Sequence, residues 1–364
     1  MFAKILAITL ALFLASCGTT QSTRVPSGTT GTSRSNAADS TYSPTVARLV
    51  NEAKALALLT NSALGKQFLD ATTSLPPIHP RTVWQNPQTR EYFSPAAAAA
   101  LPEAARIKLV QIELDEYRYY YTKYGSPLAY VRALDIASEH GFGNVAGKRI
   151  LDFGYGSIGH LRLLASLGAQ VTGVDPDSYL DALYSEQQDQ GAVRAASGKF
   201  SFSRAGTVTL VHGHYPQDGE ATGRVGNGYD LILSKNTLKR GYLKPERKID
   251  KHLLVELGVS DEVFLKTLYN ALNPGGKLLI YNLYPKAAAA HEKYKPFADG
   301  RSPFSREQYE KSGFRVIALN HEDHAAIRKI GLALKWDQNE KNEVVDNLET
   351  NLFAMFTLLE KPKL

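Results

Sequence analysis

Cysteine is almost missing from this chain of 364 residues, in which Cys17 is the only one. A single cysteine cannot form a disulfide within the chain, so a disulfide-stabilised scaffold is excluded. Basic runs are missing as well. The formal net charge is +6, and no block of consecutive basic residues has the form that follows a phosphate backbone. Nucleic acid is therefore not expected as a partner.

The apolar run near the start, residues 5–14, is too short to span a bilayer comfortably and is followed by small residues. This layout is typical of a secretory signal peptide. The ending LASC, residues 14–17, resembles the lipobox of bacterial lipoproteins, whose cysteine is lipidated and becomes the mature N-terminus. The resemblance implies a lipoprotein signal peptide over residues 1–16 and a membrane anchor on Cys17. An ordinary signal peptide and an N-terminal anchor are the alternatives.

The segment after the cysteine is rich in Ser, Thr, Gly and Asn and nearly free of large apolar groups. Such a composition cannot bury enough surface to offset its chain entropy. Residues 17–43 are therefore predicted to be a flexible tether, although a disordered leader without function has the same composition. In the lipoprotein resemblance, Gly18 implies sorting to the outer membrane of the bacterial cell envelope, with the body facing the periplasm.

Residues 44–146 are rich in Ala, Leu, Glu and Arg and are interrupted by prolines. The pattern predicts a helical cap segment, with its clearest helices over residues 102–124 and 127–140 and prolines near their first turns. Five tyrosines lie between positions 117 and 124. Aromatics of this kind are usually packing residues, but the cluster is also compatible with the mouth of a substrate site.

From Gly147 onward the sequence alternates strand and helix patterns, which predicts an α/β domain over residues 147–364 with a parallel sheet covered on both faces. Turn residues at 273–276 separate a helix from the fifth strand. The predicted strands are residues 149–153, 170–175, 207–212, 229–234, 277–283, 315–320 and 352–360.

The stretch ILDFGYGSIGH, residues 150–160, places Gly154, Gly156 and Gly159 between a strand and a helix. This order predicts a nucleotide-like ligand, because glycines allow the tight turn and the close approach of the backbone. The spacing fits a dinucleotide fingerprint, and Asp175 lies about twenty residues on, where an acid accepts from ribose hydroxyls. An NAD(P)-dependent oxidoreductase is therefore one alternative.

Other features favour a different ligand. Asp152 stands just before the glycines, at a place that is normally apolar in dinucleotide folds, and ALNPGGKLLIYNLY, residues 271–284, adds a second glycine-bearing motif. Together with YDLILSKNTL, GFRVIAL and NLFAMFTLLEK, these stretches make residues 147–362 resemble the class I S-adenosylmethionine-dependent methyltransferase family. The resemblance implies S-adenosylmethionine as cofactor. It also implies a doubly wound, Rossmann-like sheet of seven strands, with the last strand antiparallel and inserted beside the sixth.

The resemblance also implies roles for individual residues. Asp152 would orient the amino group of the cofactor, and the backbone of Gly154, Tyr155 and Gly156 would approach it closely. Asp175 would accept from both ribose hydroxyls, since a carboxylate offers two acceptor oxygens. Main-chain N–H groups at the start of the following helix suit the cofactor's carboxylate.

One departure concerns the third strand, where many members carry an acid that reaches the adenine amino group. Here the stretch LVHGHYPQD offers His214, with Asp218 further on, so His214 is the candidate for this contact. His212 and His214 would share a strand face, and residues 321–324 hold four polar side chains, but three convergent metal ligands are not evident. No metal is expected.

The acceptor side of such enzymes comes from the end of the fourth strand. Here that end reads Ser-Lys-Asn-Thr in place of the Asn-Pro-Pro-Tyr of enzymes that methylate amino groups in nucleic acids and proteins. Lys235 and Asn236 are therefore the predicted catalytic residues. His160 and His214 are candidates for taking a proton from the acceptor, although a structural histidine is the more ordinary role for each. Three tyrosines are expected to face the acceptor: Tyr120, Tyr124 and Tyr284.

The two main signals point to different compartments, because S-adenosylmethionine is made in the cytoplasm and the lipobox implies export. The sequence predicts a methyltransferase that acts on a small molecule or a cell-envelope component. A non-catalytic, lipid-anchored binding protein on the same fold is a further alternative, because a fold does not determine a function.

Overall fold

The structure, a computed structural model, describes residues 42–197, 205–250, 253–289 and 291–363. The predicted signal peptide, Cys17 and nearly all of the predicted tether lie outside these residues. The first described helix, α1 (Pro44–Ala57), has proline in its first turn, and the Ser43 hydroxyl caps it by accepting from the Val46 N–H at 3.3 Å. No helix in the described part of the chain is both long and apolar enough to cross a membrane.

Residues 44–146 combine helices with a small antiparallel sheet. The helices after α1 are α2 (Ala63–Asp70), α3 (Pro95–Ala100), α4 (Glu103–Arg106), α5 (Glu116–Tyr121) and α6 (Val131–Glu139). The strands are β1 (Arg81–Gln85), β2 (Tyr92–Phe93) and β3 (Val110–Leu114), and they lie in the order β2–β1–β3.

The prediction of one helix over residues 102–124 is wrong, because β3 separates α4 from α5. In the β3 sequence VQIEL apolar and polar residues alternate, which is the period of a strand with one face covered. The strand pairs with β1 along its whole length, from Arg81 opposite Leu114 to Gln85 opposite Val110. Pairing with this distant partner therefore outweighs the helical propensity of the surrounding residues.

The second part of the chain forms the main sheet. Its strands are β4 (Arg149–Phe153), β5 (Gln170–Asp175), β6 (Gly191–Ala192), β7 (Thr207–His212), β8 (Tyr229–Lys235), β9 (Leu272–Tyr284), β10 (Arg315–Glu322) and β11 (Phe353–Glu360). The helices are α7 (Ile158–Ser166), α8 (Ser178–Leu183), α9 (Gly219–Val225), α10 (Arg240–Leu243), α11 (Asp261–Ala271), α12 (Arg306–Lys311), α13 (His324–Ala333) and α14 (Leu348–Asn351).

The strand order is β10–β11–β9–β8–β4–β5–β7–β6. Strands β7, β5, β4, β8 and β9 are parallel, whereas β11 runs antiparallel to both of its neighbours, β9 and β10. The predicted α/β fold with an inserted antiparallel last strand is thus confirmed. The short strand β6, which the sequence did not predict, adds an antiparallel edge next to β7.

The glycine-bearing turn predicted at residues 273–276 lies inside β9. The pairing between β8 and β9 steps from Tyr229 opposite Leu272 to Leu231 opposite Lys277, so the extra residues form an irregularity in the strand. Gly275 has φ +82°, a backbone angle that glycine adopts without a steric cost. The motif therefore forms an irregularity within strand β9 and does not precede the strand.

Apolar side chains cover both faces of the sheet. Ile150 and Leu151, which are adjacent on β4, are fully buried in two different cores, one on each face. Burial of such a side chain contributes about 1.5–3 kcal/mol. The core that contains Ile150 also contains Leu49 and Phe68. Residues 44–146 therefore share one continuous core with the main sheet.

A buried ion pair joins α6 to the end of β10. Asp323 accepts from Nε and Nη2 of Arg132, both at 2.9 Å, and from the Tyr281 hydroxyl at 2.9 Å. The polar residues 321–324 thus include a carboxylate that is already paired. In the part of the chain that the structure describes, no group of three or more His, Cys, Asp or Glu side chains is arranged to hold a metal ion.

Candidate functional site

A cleft of about 530 Å³ opens at the carboxyl ends of β4, β5 and β8. Strand β4 lies between β5 and β8, where the strand order reverses, and open α/β sheets bind their ligands at this switch point. The residues that line the cleft include Lys123, Tyr124, Tyr130, Gly154, Tyr155, Gly156, Asp175, His214, Lys235, Asn236, Tyr242 and Phe297. Most of the predicted site residues therefore meet in one place.

The glycine loop after β4 requires glycine for two reasons. Gly154 and Gly156 have φ +77° and +58°, a region that other residues adopt only with strain. A Cβ at Gly154 would also lie 2.2 Å from Oγ1 of Thr237, and one at Gly156 would lie 2.9 Å from the Tyr124 ring. The loop is therefore held between the end of β8 and the N-terminal part of the chain.

Two backbone N–H groups at the start of α7 already donate hydrogen bonds within the protein. The Gly159 N–H donates to the Ser157 hydroxyl at 3.2 Å, and the Ile158 N–H donates to the Tyr184 hydroxyl at 3.2 Å. Ser157 in turn donates to the Tyr120 carbonyl oxygen at 2.6 Å. These two N–H groups are consequently not free for a ligand carboxylate, contrary to the expectation that the helix start would bind one.

Asp175 ends β5 and lines the cleft. Its Oδ1 accepts from the Asp177 N–H at 2.9 Å. Burial, followed by the nearby Asp177 carboxylate, raises the pKa of Asp175 to about 7. The carboxyl group therefore changes charge near neutral pH, and only its ionised form presents both oxygens as acceptors without an O–H donor.

Lys123, which lines the cleft, and its partner Asp177 are residues that the sequence did not indicate. Burial acts to raise the pKa of Asp177, but the Lys123 ammonium at 2.5 Å outweighs it and holds that pKa below its usual value. The Tyr124 hydroxyl also donates to Asp177, at 3.0 Å. This pair fixes the Tyr124 ring against Gly156 and so closes one wall of the cleft.

Lys235, at the end of β8, lines the opposite wall. Its Nζ lies 5.3 Å from the centre of the Tyr130 ring, and no carboxylate among the described residues is within ion-pair distance of it. Burial lowers the pKa of Lys235 to about 8, against the attraction of Asp152. A fraction of Lys235 is therefore a neutral amine near neutral pH.

Asn236 follows with φ +64°, a left-handed conformation that asparagine tolerates better than most residues. Its Oδ1 accepts from the Leu283 N–H at 2.7 Å, and its own N–H donates to the Tyr281 carbonyl oxygen at 3.0 Å. The amide oxygen of Asn236 thus joins the ends of β8 and β9, a structural function that the sequence did not predict.

Asp152 and His160 lie outside the cleft lining, and both side chains are fully buried. His160 Nε2 is 2.5 Å from Asp152 Oδ2, and the His160 ring stacks on Tyr130 at 3.6 Å between centroids. Burial lowers the pKa of His160, which favours the neutral ring. The prediction that His160 faces the acceptor is not met, because Asp152 occupies its Nε2.

Of the other predicted site residues, some border the cleft and some lie outside it. His214 is exposed at the rim of the cleft, whereas Asp218 caps α9 by accepting from the Glu220 N–H at 2.9 Å. Tyr120 is fully buried and donates to the Pro76 carbonyl oxygen at 2.6 Å, and Tyr284 stacks on Phe353. Tyr120 and Tyr284 are therefore packing residues outside the cleft, and Tyr124 is the predicted tyrosine that lines it.

No family model matches this chain, and no curated protein matches it. Solved structures of similar fold include the cyclase SpnF, which is 14% identical with a TM-score of 0.36, over 64% of this chain and 80% of its own. Phosphoethanolamine N-methyltransferase 2 from Haemonchus contortus, in complex with S-adenosyl-L-methionine, is 18% identical with a TM-score of 0.37. That match covers 70% of this chain and 63% of the enzyme.

The cyclopropane synthase MmaA2 from Mycobacterium tuberculosis is 14% identical with a TM-score of 0.37, over 63% of this chain and 83% of its own. At sequence identities of 14–18%, the similarity to these structures is a similarity of the α/β fold alone.

Proposed function

We propose that this chain is an S-adenosylmethionine-dependent methyltransferase. The observation that carries the proposal is that the glycine loop and Asp175 line the same cleft, at the switch point of the sheet. In this sheet β11 lies between β9 and β10 and runs antiparallel to both. Dinucleotide-binding sheets are built from parallel βαβαβ halves without such an inserted strand. The strand order therefore supports S-adenosylmethionine over a nicotinamide dinucleotide.

Two features of the site fit this cofactor. The Asp175 carboxylate lines the cleft where ribose hydroxyls would donate, and behind the cleft lining, at the end of β4, Asp152 Oδ1 is a buried acceptor without a hydrogen-bond partner among the described residues. When bound, the cofactor supplies a methyl group on a positively charged sulfur. The aromatic walls formed by Tyr124, Tyr130 and Tyr242 would exclude water and hold the reactants close together, which is the main requirement of a displacement reaction.

Lys235 is the proposed residue on the acceptor side. Its amine borders the cleft, and its lowered pKa leaves a neutral fraction that can take a proton from an acceptor O–H or N–H group. Asn236 would hold the end of β8 in place beside it. The proposed acceptor is a small molecule or a cell-envelope component, because the cleft has the size of a small-molecule pocket.

Methyl transfer tests this proposal. Wild-type protein incubated with labelled S-adenosylmethionine and envelope extract is expected to label a product. Lys235→Ala should lower that turnover about 100-fold, the usual range for losing a general base, with little change in donor affinity. Lys148→Ala is the matched control, because Lys148 lies at the amino end of β4 and pairs with Asp230.

Two results would contradict the proposal. If the labelled methyl group is found in RNA or DNA and not in envelope or small-molecule fractions, the proposed acceptor class is excluded. Donor binding without product in any extract would favour the non-catalytic binding protein.

We also propose that the chain is a lipoprotein of the bacterial cell envelope, anchored through Cys17 in the outer membrane and facing the periplasm. The motif LASC at residues 14–17, behind a short apolar run, supports this location. Metabolic labelling with a palmitate analogue should mark the wild-type chain and fail to mark Cys17→Ala, which should leave the membrane fraction. Equal labelling and equal fractionation of the two proteins would remove the lipoprotein proposal.

A further inference from the structure

The strap, residues 122–124, runs from the end of α5 to the glycine loop. Thr122 has φ +51°, a left-handed angle that is rare for a β-branched residue. Its hydroxyl donates to the Gly156 carbonyl oxygen at 2.9 Å. The next two residues, Lys123 and Tyr124, line the cleft. The N-terminal part of the chain is thus fastened to the glycine loop and presents two side chains to the cleft.

Both of these side chains contact Asp177. Lys123 Nζ lies 2.5 Å from Asp177 Oδ2, and the Tyr124 hydroxyl donates to the same oxygen at 3.0 Å. The other oxygen, Oδ1, accepts from the Tyr179 N–H at 3.0 Å and so caps α8. The side chains of Lys123 and Asp177 are only 18% and 21% exposed, so solvent and salt screen this pair less than a surface pair. Its charges therefore act on neighbouring groups.

Asp175 is the neighbour that these charges affect. It accepts from the Asp177 N–H at 2.9 Å, so the two acids belong to one turn. After burial, which raises the pKa of Asp175 most, the Asp177 carboxylate raises that pKa further, whereas the Lys123 ammonium lowers it. Two like charges at one site disfavour the ionisation of one of them. Removal of Lys123 would therefore leave the charge of Asp177 unopposed beside Asp175.

Other titratable groups surround Asp175. Three tyrosines are neutral near pH 7, because burial raises the pKa of each well above its usual value: Tyr124, Tyr130 and Tyr155. The remaining groups are His212, which is opposite Asp175 on β7, and the cleft residues His214, Tyr215, Lys235, Tyr242 and Glu256. Among the described residues, Lys123 is the cation within ion-pair distance of Asp177. The balance of charge in the turn of Asp175 therefore depends on Lys123.

We propose that Lys123 is a positioning residue for donor binding: its ammonium offsets the charge of Asp177 beside Asp175 and holds Tyr124 against the glycine loop. This inference rests on the proposed function, in which Asp175 receives the ribose. It gives the N-terminal part of the chain a direct part in binding the donor. Because the ribose favours ionised Asp175, loss of the Lys123 charge should weaken binding more at low pH than at high pH.

The experiment is a calorimetric titration of the full chain with S-adenosylhomocysteine, which lacks the sulfonium charge, at pH values from about 5.5 to about 8.5. Lys123→Met should move the midpoint of the rise in affinity upward by about one pH unit. That shift lowers the affinity about 10-fold near pH 6 and less than about 2-fold near pH 8.5. Lys123→Arg keeps the charge and should follow the wild type. Lys148→Met is the control, because Lys148 pairs with Asp230 at the other end of β4.

A second variant should change the affinity in the opposite direction. Asp177→Asn removes the like charge beside Asp175 and keeps an oxygen that can cap α8. Lys123 then acts on Asp175 without opposition, so the midpoint should move to lower pH and the affinity near pH 6 should rise about 5-fold. An equal loss of affinity at every pH in Lys123→Met, or no gain near pH 6 in Asp177→Asn, would overturn the inference. Failure of the wild-type chain to bind S-adenosylhomocysteine at any pH would instead contradict the proposed function.

Discussion

Asp175→Ala is expected to weaken the binding of S-adenosylmethionine by about 1–3 kcal/mol, the cost of leaving buried polar groups without a partner. Asp175 lines the cleft at the end of β5, and its proposed partners are the two ribose hydroxyls. Calorimetric titration measures the change. Asp181→Ala is the control, because Asp181 is an exposed carboxylate on the neighbouring helix α8.

The pH dependence of the same titration adds a second readout. Because burial and Asp177 raise the pKa of Asp175 to about 7, the carboxyl group is largely protonated below this pH and loses an acceptor. The ligand favours the ionised form, so affinity should rise from about pH 6 to about pH 8 in the wild type. Asp175→Asn should remove that rise. If Asp175→Ala binds S-adenosylmethionine as tightly as the wild type does, the assignment of Asp175 to the ribose is contradicted.

Asp323→Ala is expected to lower the free energy of unfolding by about 3 kcal/mol, because it leaves the Arg132 guanidinium, whose side chain is 16% exposed, with the 46% exposed Glu139 as its remaining carboxylate partner. Asp323 is 9% exposed and accepts two hydrogen bonds from Arg132 and one from Tyr281. These contacts join helix α6 of the N-terminal part to the end of the main sheet. Urea unfolding followed by circular dichroism measures the loss.

Glu322→Ala is the matched control for Asp323→Ala. The Glu322 side chain is 69% exposed, and its carboxylate lies 3.7 Å from His324 Nε2, so its removal should change stability by about 0.5 kcal/mol or less. Equal, small losses in the two variants would show that the buried pair does not hold α6 against the sheet.

Much of the main sheet was predictable from sequence, because its strands are short apolar runs between turn residues and are buried on both faces. The predicted bounds of β4, β5 and β7 coincide with the observed ones at residues 149–153, 170–175 and 207–212. The antiparallel insertion of β11 came from the family resemblance, since periodicity alone does not give strand direction.

The small sheet of residues 81–114 escaped prediction because its pairing is not local. Strand β3 gains its backbone partners from β1, and the sequence between them is rich in alanine and reads as helix. The Ala-rich segment does contain α3 and α4, but each is only one or two turns long. Local propensity is a weak guide where a distant strand supplies the hydrogen bonds.

Within the site, sequence motifs located the residues but not the directions of their side chains. The motif placed Asp152 and His160 near the glycines, but it did not show that they contact each other or that the His160 ring stacks on Tyr130 from the N-terminal part of the chain. Similarly, Lys123 and Asp177 fix Tyr124 against Gly156 through contacts across two segments. Such contacts follow from how the N-terminal helices pack on the sheet, which no local pattern encodes.

The most direct measurement of the central proposal is a calorimetric titration of the full-length wild-type chain, in detergent, with four ligands: S-adenosylmethionine, S-adenosylhomocysteine, NADH and NADPH. Saturable binding of the first two and none of the nicotinamide dinucleotides is the predicted result, because the cleft at the switch point combines Asp175 with a sheet that carries the inserted strand β11. Binding of NADH or NADPH in preference to S-adenosylmethionine, or binding of none of the four, would contradict it.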